Sequence, residues 1–235
     1  MEVFSDKATL ISKTKEIVLE KIAAAIKSHD LCTIALAGGS TPKPLYESLA
    51  TCDLPWQKIH IFWGDERYVP ADNVDSNQFM TRQVLLERID IPDANIHPMP
   101  TSGMSPEKDA ATHEEELRSF FEIQPGEFPT FDLIILGMGD DGHTASLFPN
   151  TEVLKENQKL VSVGSKSDQP RLTFTVPLIN QAKCVLFLVS GANKKKVLGK
   201  IFALDENSYL YPARLIQPQG ELRWLLDEAA GELLK

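Results

Sequence analysis

The run LCTIALA at residues 31–37 passes directly into GGSTP at 38–42, and this junction decides the fold. A short, nearly unbroken apolar run containing Ile34 reads as a strand buried on both faces. The glycines end it, and a helix is expected from there to about residue 50. Thr41 is placed to cap that helix, and Pro42 suits its first turn, where a missing N–H costs nothing. Upstream, Ile11, Val18, Ile22 and Ile26, with Ala25 beside them, form one apolar stripe and predict a helix over 6–28. Downstream, strands are expected at 59–63, 131–136, 171–176 and 183–189, with short ones at 214–217 and 222–226. Helices are expected at 76–89, 107–121 and 192–204, with a helical turn after Asp227, and 91–106 reads as a connecting loop with room for one short strand. Strands alternating with helices predict an α/β fold: a mostly parallel central sheet with helices on both faces. No repeat or linker divides the chain, so a single domain over 1–235 is expected.

Composition narrows the function. The 235 residues are 43% hydrophobic and 24% charged, with 13 glycines and 15 prolines, close to an average globular protein. Lys and Arg total 24 against 33 Asp and Glu, a net charge of −9, which disfavours nucleic acid as a partner. A small anion needs only a local cluster of cations and stays admissible. Cys32, Cys52 and Cys184 are widely spaced and form no CxxC pair, against a disulfide framework or a cysteine zinc site. The opening MEVFSDKATL lacks the basic and apolar regions of a secretory signal, and no apolar run approaches the ~20 residues of a membrane span. A soluble, cytoplasmic protein with no membrane partner is expected.

In open parallel sheets ligands bind beyond the carboxyl ends of the strands, so the loops after Ala37, Trp63, Leu136 and Val189 are the ones to read. Gly38-Gly39-Ser40-Thr41 offers backbone N–H groups and hydroxyls to an anion, or is a tight turn and cap. Asp65-Glu66-Arg67 provides a guanidinium that could fork onto phosphate, or a solvated charge cluster. Gly191-Ala192-Asn193-Lys194 adds an ammonium, and Arg171 a further cation. In the segment 137–143, GMGDDGH, the glycines spell the dinucleotide fingerprint G-x-G-x-x-G, but Asp140 and Asp141 would repel a pyrophosphate. Pro149 also limits any helix after His143 to about two turns. The loop reads better as an acid–base site: His143 as general base, oriented by Asp141. The bland alternative makes the aspartates helix caps. Asp140, Asp141 and His143 could ligate a metal, but no second His stands at zinc-like spacing, and no metal is expected.

Together, LAGGSTP (36–42), WGDERYVP (63–70) with Ser76-Asn77, LGMGDDGHTASLFP (136–149), RLTFTVPLIN (171–180) and VSGANKK (189–195) closely resemble the 6-phosphogluconolactonase family, in order and over nearly the full length. The resemblance implies a cytoplasmic hydrolase acting on a small sugar-phosphate lactone. The reaction is 6-phospho-D-glucono-1,5-lactone to 6-phosphogluconate, the second step of the oxidative pentose phosphate pathway. It also implies a fold like that of glucosamine-6-phosphate deaminase, no cofactor, and a monomer. His143 then looks like the base that activates water and Asp141 its orienter. Gly38, Gly39, Ser40, Thr41, Asp65, Arg67, Arg171 and Lys194 become substrate or phosphate contacts. Lys194 is followed by Lys195 where the family often has Ala. The rival is the related deaminase, whose histidine is assisted by a glutamate five residues on; Phe148 stands at that place here. A sugar-phosphate sensor of the same fold is the other rival, but there is no spare length for a DNA-binding domain.

Overall fold

In a computed structural model that describes residues 1–103, 105–204 and 207–234, the apolar runs pair as a seven-stranded parallel sheet. In chain order the strands are β1 (Glu2–Phe4), β2 (Cys32–Leu36), β3 (Ile59–Trp63), β4 (Asp65–Arg67), β5 (Ile96–His97), β6 (Leu133–Leu136), β7 (Val161–Lys166), β8 (Gln169–Phe174), β9 (Cys184–Val189) and β10 (Glu221–Asp227). The large sheet runs β1-β10-β9-β6-β2-β3-β5, and a separate antiparallel sheet runs β4-β8-β7. The helices are α1 (Lys7–His29), α2 (Lys43–Leu49), α3 (Asn77–Val84), α4 (Pro106–Phe120), α5 (Val176–Asn180), α6 (Lys195–Ile201) and α7 (Glu228–Gly231). No helix among the described residues is long and apolar enough to cross a membrane.

The strand period of two explains the layers. Ile34 and Leu36 of β2, Leu133 and Ile135 of β6, and Leu186 and Leu188 of β9 pack with Leu10, Val18 and Ile22 of α1. Their neighbours Ala35, Ile134, Leu136, Phe187 and Val189 point the other way, against Leu117 of α4, Leu178 of α5, Leu198 of α6, and Leu172 and Phe174 of β8. Both faces of the large sheet are therefore buried, which is why its strands lack polar alternation. The stripe in 6–28 forms α1, started by Asp6, whose carboxylate accepts the Thr9 N–H at 2.7 Å.

Several local expectations are corrected. Thr41 does not cap α2; the cap position is Pro42, which has no side chain able to accept a bond, and the helix starts at Lys43. Residues 65–67 are not a charged loop but β4, because Gly64 turns the chain out of the large sheet. Its N–H still donates to Leu36 C=O (3.0 Å), while its C=O accepts the Phe174 N–H (2.8 Å) of the small sheet. After His143 there is no helix: Ala145 takes φ 46° and Leu147 N–H closes a turn on Thr144 C=O. Residues 214–217 are not a strand, since Pro212–Leu215 is a 3-10 turn whose Arg214 Nη1 donates to the carbonyls of Lys200, Ile201 and Ala203. Strands β1 and β7 lie where none was expected, and α6 stops at Ile201, short of residue 204.

Away from the loop end of the sheet, β3, β5 and α4 are joined by a hydrogen-bonded chain. His60 Nδ1 lies 3.1 Å from His97 Nε2, His97 Nδ1 lies 2.9 Å from Glu116 Oε1, and Glu116 Oε2 lies 2.9 Å from His113 Nδ1. Partial burial works to raise the Glu116 carboxyl, but its hydrogen bonds and charge contacts with His113 and His97 win and bring it from 4.5 to about 2. A carboxyl depressed on folding stabilises the protein fully above its unfolded value, and that contribution is lost as pH falls toward 2. The side chain is 39% exposed, so water screens part of the effect. Glu116→Gln should cost about 1 kcal/mol at neutral pH. Thermal melts should show the parent losing its advantage over the variant as the pH is taken below 4.5. An advantage independent of pH would mean that packing, not charge, makes the difference.

Candidate active site

The carboxyl ends of β2, β3, β6 and β9 open into one cavity of about 310 Å3, lined by residues from all four loops that the strand order singles out. Of the sequence-predicted residues, Gly38, Gly39, Ser40, Thr41, Asp65, Arg67, His143, Arg171 and Lys194 line it. Asp141 does not; it stands behind His143.

The His143 loop is shaped by backbone bonds. Gly139 N–H donates to His143 C=O (2.8 Å), and Asp141 Oδ1 accepts the His143 backbone N–H (3.1 Å) while lying 2.5 Å from its Nδ1. A side chain at Gly139 would run into both the His143 ring and the Asp141 carboxylate, so only glycine admits this fold of the loop. Partial burial acts to raise the Asp141 carboxyl. The hydrogen bonds and charge of His143, with Lys166 farther off, overcome it and hold the group at about 2. With Nδ1 engaged by a carboxylate, the neutral ring keeps its proton there and presents Nε2 as an acceptor. Nε2 has no protein partner among the described residues. Phe148 packs beside this ring, centroid to centroid 4.6 Å, and offers no group to exchange a proton.

The cations come from the small sheet and the β9 loop. Arg67 of β4 stands directly opposite Arg171 of β8 in the antiparallel register. Burial first, then the nearby Arg67 charge, lowers the Arg171 guanidinium from its ordinary value. Like charges opposed across a strand pair are unfavourable. Yet neither arginine, nor Lys194, has a carboxylate ion-pair partner among the described residues, whereas Arg118 and Arg223 do. Such a rung is stabilised by an anion placed between its members.

Neighbouring groups fix these parts in place. Glu66, beside Asp65 in sequence, points away from the cavity. Its carboxylate accepts the N–H groups of Arg67, Asn77 and Gln78 and the Ser76 hydroxyl, at 2.7–3.0 Å. It is thus a second cap on α3 beside Ser76, whose side chain accepts the Phe79 N–H. Asp227 fixes the Lys194 loop by accepting the Ser190 hydroxyl (2.5 Å) and the Gly191 N–H (3.0 Å) while capping α7. Ser146 and Asp227 were not singled out in the sequence, and Asn77 was noted only within the Ser76-Asn77 motif; for Asp227 the signal was an acid between the last strand and a helical turn. Among the described residues no group of three or more His, Cys, Asp or Glu could hold a metal ion.

Residues 5–224 match the family described as glucosamine-6-phosphate isomerases/6-phosphogluconolactonase. The 6-phosphogluconolactonase of Synechocystis is 57% identical over 100% of this chain and 98% of its own length. That of Nostoc is 54% identical over 98% and 96%. The solved structure of 6-phosphogluconolactonase from Trypanosoma brucei superposes with a TM-score of 0.86 at 35% identity, covering 100% of this chain and 98% of that one.

The arginine rung makes its own prediction. Arg171→Met keeps the aliphatic stem but removes one of two repelling charges. It should weaken inorganic phosphate binding about tenfold or more, the worth of a charge-assisted hydrogen bond, without lowering the melting temperature in phosphate-free buffer. Calorimetric titration and melts check both; unchanged phosphate affinity would show that the rung does not hold an anion.

Proposed function

The chain belongs to the glucosamine-6-phosphate isomerase/6-phosphogluconolactonase family, and from that premise we propose that it hydrolyses 6-phospho-D-glucono-1,5-lactone to 6-phosphogluconate, the second step of the oxidative pentose phosphate pathway. One observation carries the reading: His143, held from behind by Asp141, lines the same cavity as the Arg67–Arg171 rung.

A lactone needs a nucleophilic water, charge stabilisation on the carbonyl oxygen, and a proton for the departing ring oxygen. His143 Nε2 takes a proton from water as the oxygen bonds to the carbonyl carbon, and the imidazolium is stabilised by Asp141. Collapse of the tetrahedral intermediate breaks the bond between that carbon and the ring oxygen, and the same imidazolium returns the proton to it. Donors from the glycine turns or the cavity cations serve the oxyanion, each worth roughly 2.7–4 kcal/mol. Arg67, Arg171 and Lys194, with the 38–41 turn, hold the phosphate and so orient the ring remote from the chemistry. Phe148 favours hydrolysis over deamination, because it places no carboxylic acid against His143. We read the chain as one domain over 1–235 that works as a cytoplasmic monomer without a cofactor.

Freshly generated lactone, corrected for its spontaneous hydrolysis, tests the reading directly. His143→Ala should lower kcat by roughly 10²–10⁴. In the same variant the Asp141 carboxyl should titrate well above about 2, because burial remains while the side chain that does most to lower it is gone. Carbon-detected NMR reads that shift. A kcat within about threefold of the parent, below the range of general acid–base catalysis, would remove His143 from the role of base.

A further inference from the structure

The two members of the arginine rung are held differently. Arg67 Nη1 donates to the Asp75 C=O. The Arg171 guanidinium donates no hydrogen bond among the described residues, and its Nε is buried without a partner. What stands against it is an aromatic ring: Arg171 Cζ lies 5.8 Å from the centre of Phe148, within cation–π range. Lys166 Nζ lies 5.7 Å from the same centre, and the His143 ring packs beside it. The sheet register brings this about. Arg67, Arg171 and Gly164 are successive partners across β4, β8 and β7, so they share one side, with Lys166 two residues beyond Gly164. A side chain at Gly164 would meet the Ser146 C=O at 2.2 Å, so glycine lets the 144–148 turn lie on this face beside Arg171. Phe148 C=O accepts the Thr151 hydroxyl at 2.6 Å, which fixes the turn from its far end. Phe148 is 5% exposed, yet it belongs to neither apolar cluster of the large sheet and does not line the cavity. Core packing does not account for a buried phenyl ring here; the cation beside it does.

We propose that Phe148 is a positioning residue for anion binding, and that its π face holds the Arg171 guanidinium in register with Arg67 against the repulsion between them. The proposal rests on the reading of the cavity as a phosphate site and adds what keeps the rung assembled before phosphate arrives. A carboxylate at this place would pair with Arg171 and compete with the ligand. The ring's quadrupole steadies the cation and leaves its N–H groups and its charge available.

Replacing Phe148 by phenylalanines that carry one, two and three ring fluorines drains the π face stepwise at nearly constant shape. Calorimetric titration with inorganic phosphate should show affinity falling at each step, by about threefold to tenfold over the series, the scale of a cation–π contact. Phe148→Leu keeps apolar bulk without a π face and should bind phosphate no better than the trifluoro protein. In an Arg171→Met background the same series should be flat. Affinity that stays level or rises with fluorination overturns the proposal, whatever Phe148→Leu does, because the ring is then only a filler of space. So does a slope that survives in Arg171→Met, which would place the effect on another cation. A parent without phosphate affinity removes this inference together with the phosphate site. A parent that binds phosphate but does not accelerate lactone hydrolysis removes the lactonase reading alone.

Discussion

Gly64 belongs to two sheets at once. Its N–H completes the large sheet at Leu36 C=O, and its C=O opens the small one at Phe174 N–H. Because β3 leaves the parallel layer at this residue, β4 runs out above the carboxyl ends of β2 and β6 and brings β8 with it. The Arg67–Arg171 rung in the cavity follows from that switch. Without it, Arg67 and Arg171 would have no common register, and the loops after β2 and β6 would face open solvent.

The switch also sorts adjacent carboxylates by environment. Glu66 is turned toward the start of α3, where burial raises its carboxyl while the N–H groups of Asn77, Gln78 and Arg67 offset it. Four donors satisfy that side chain, so it is spent on structure. Asp65, one residue earlier, faces the cavity with Oδ2 held by Ser146. Two acids that look equivalent in sequence thus differ because one neighbour packs against a helix terminus and the other against a void.

Legibility in the sequence followed the same physics. The strands of the large sheet were readable because burial on both faces demands continuous apolar runs, and the site loops followed from where such strands end. Residues 65–67 were not readable as a strand: three polar residues after a glycine carry no apolar alternation, and their pairing with 169–174 is a long-range fact. Reading them as a loop hid which of Asp65, Glu66 and Arg67 share a face. The turn after His143 failed for another reason. Thr144 to Phe148 has the composition of a helix start, but Thr144 Oγ1 donates to Gly137 C=O (2.8 Å) and Ser146 N–H to Thr173 Oγ1 (3.2 Å), tertiary bonds that outweigh local propensity.

A chain of net charge −9 that gathers cations at one cavity also has to be reconciled with an anionic ligand. At physiological ionic strength the field of distant charges fades over about 8 Å, so the acidic surface acts weakly inside the cavity. The unpaired Arg67, Arg171 and Lys194 act at contact distance and under partial burial, where screening is least. The acidic remainder therefore sets solubility and discourages polyanions too large to enter, while the interior selects by chemistry. Carboxylates elsewhere on this protein form ion pairs with their neighbours; among the described residues those three cations form none, and that contact partner is what a bound phosphate would supply.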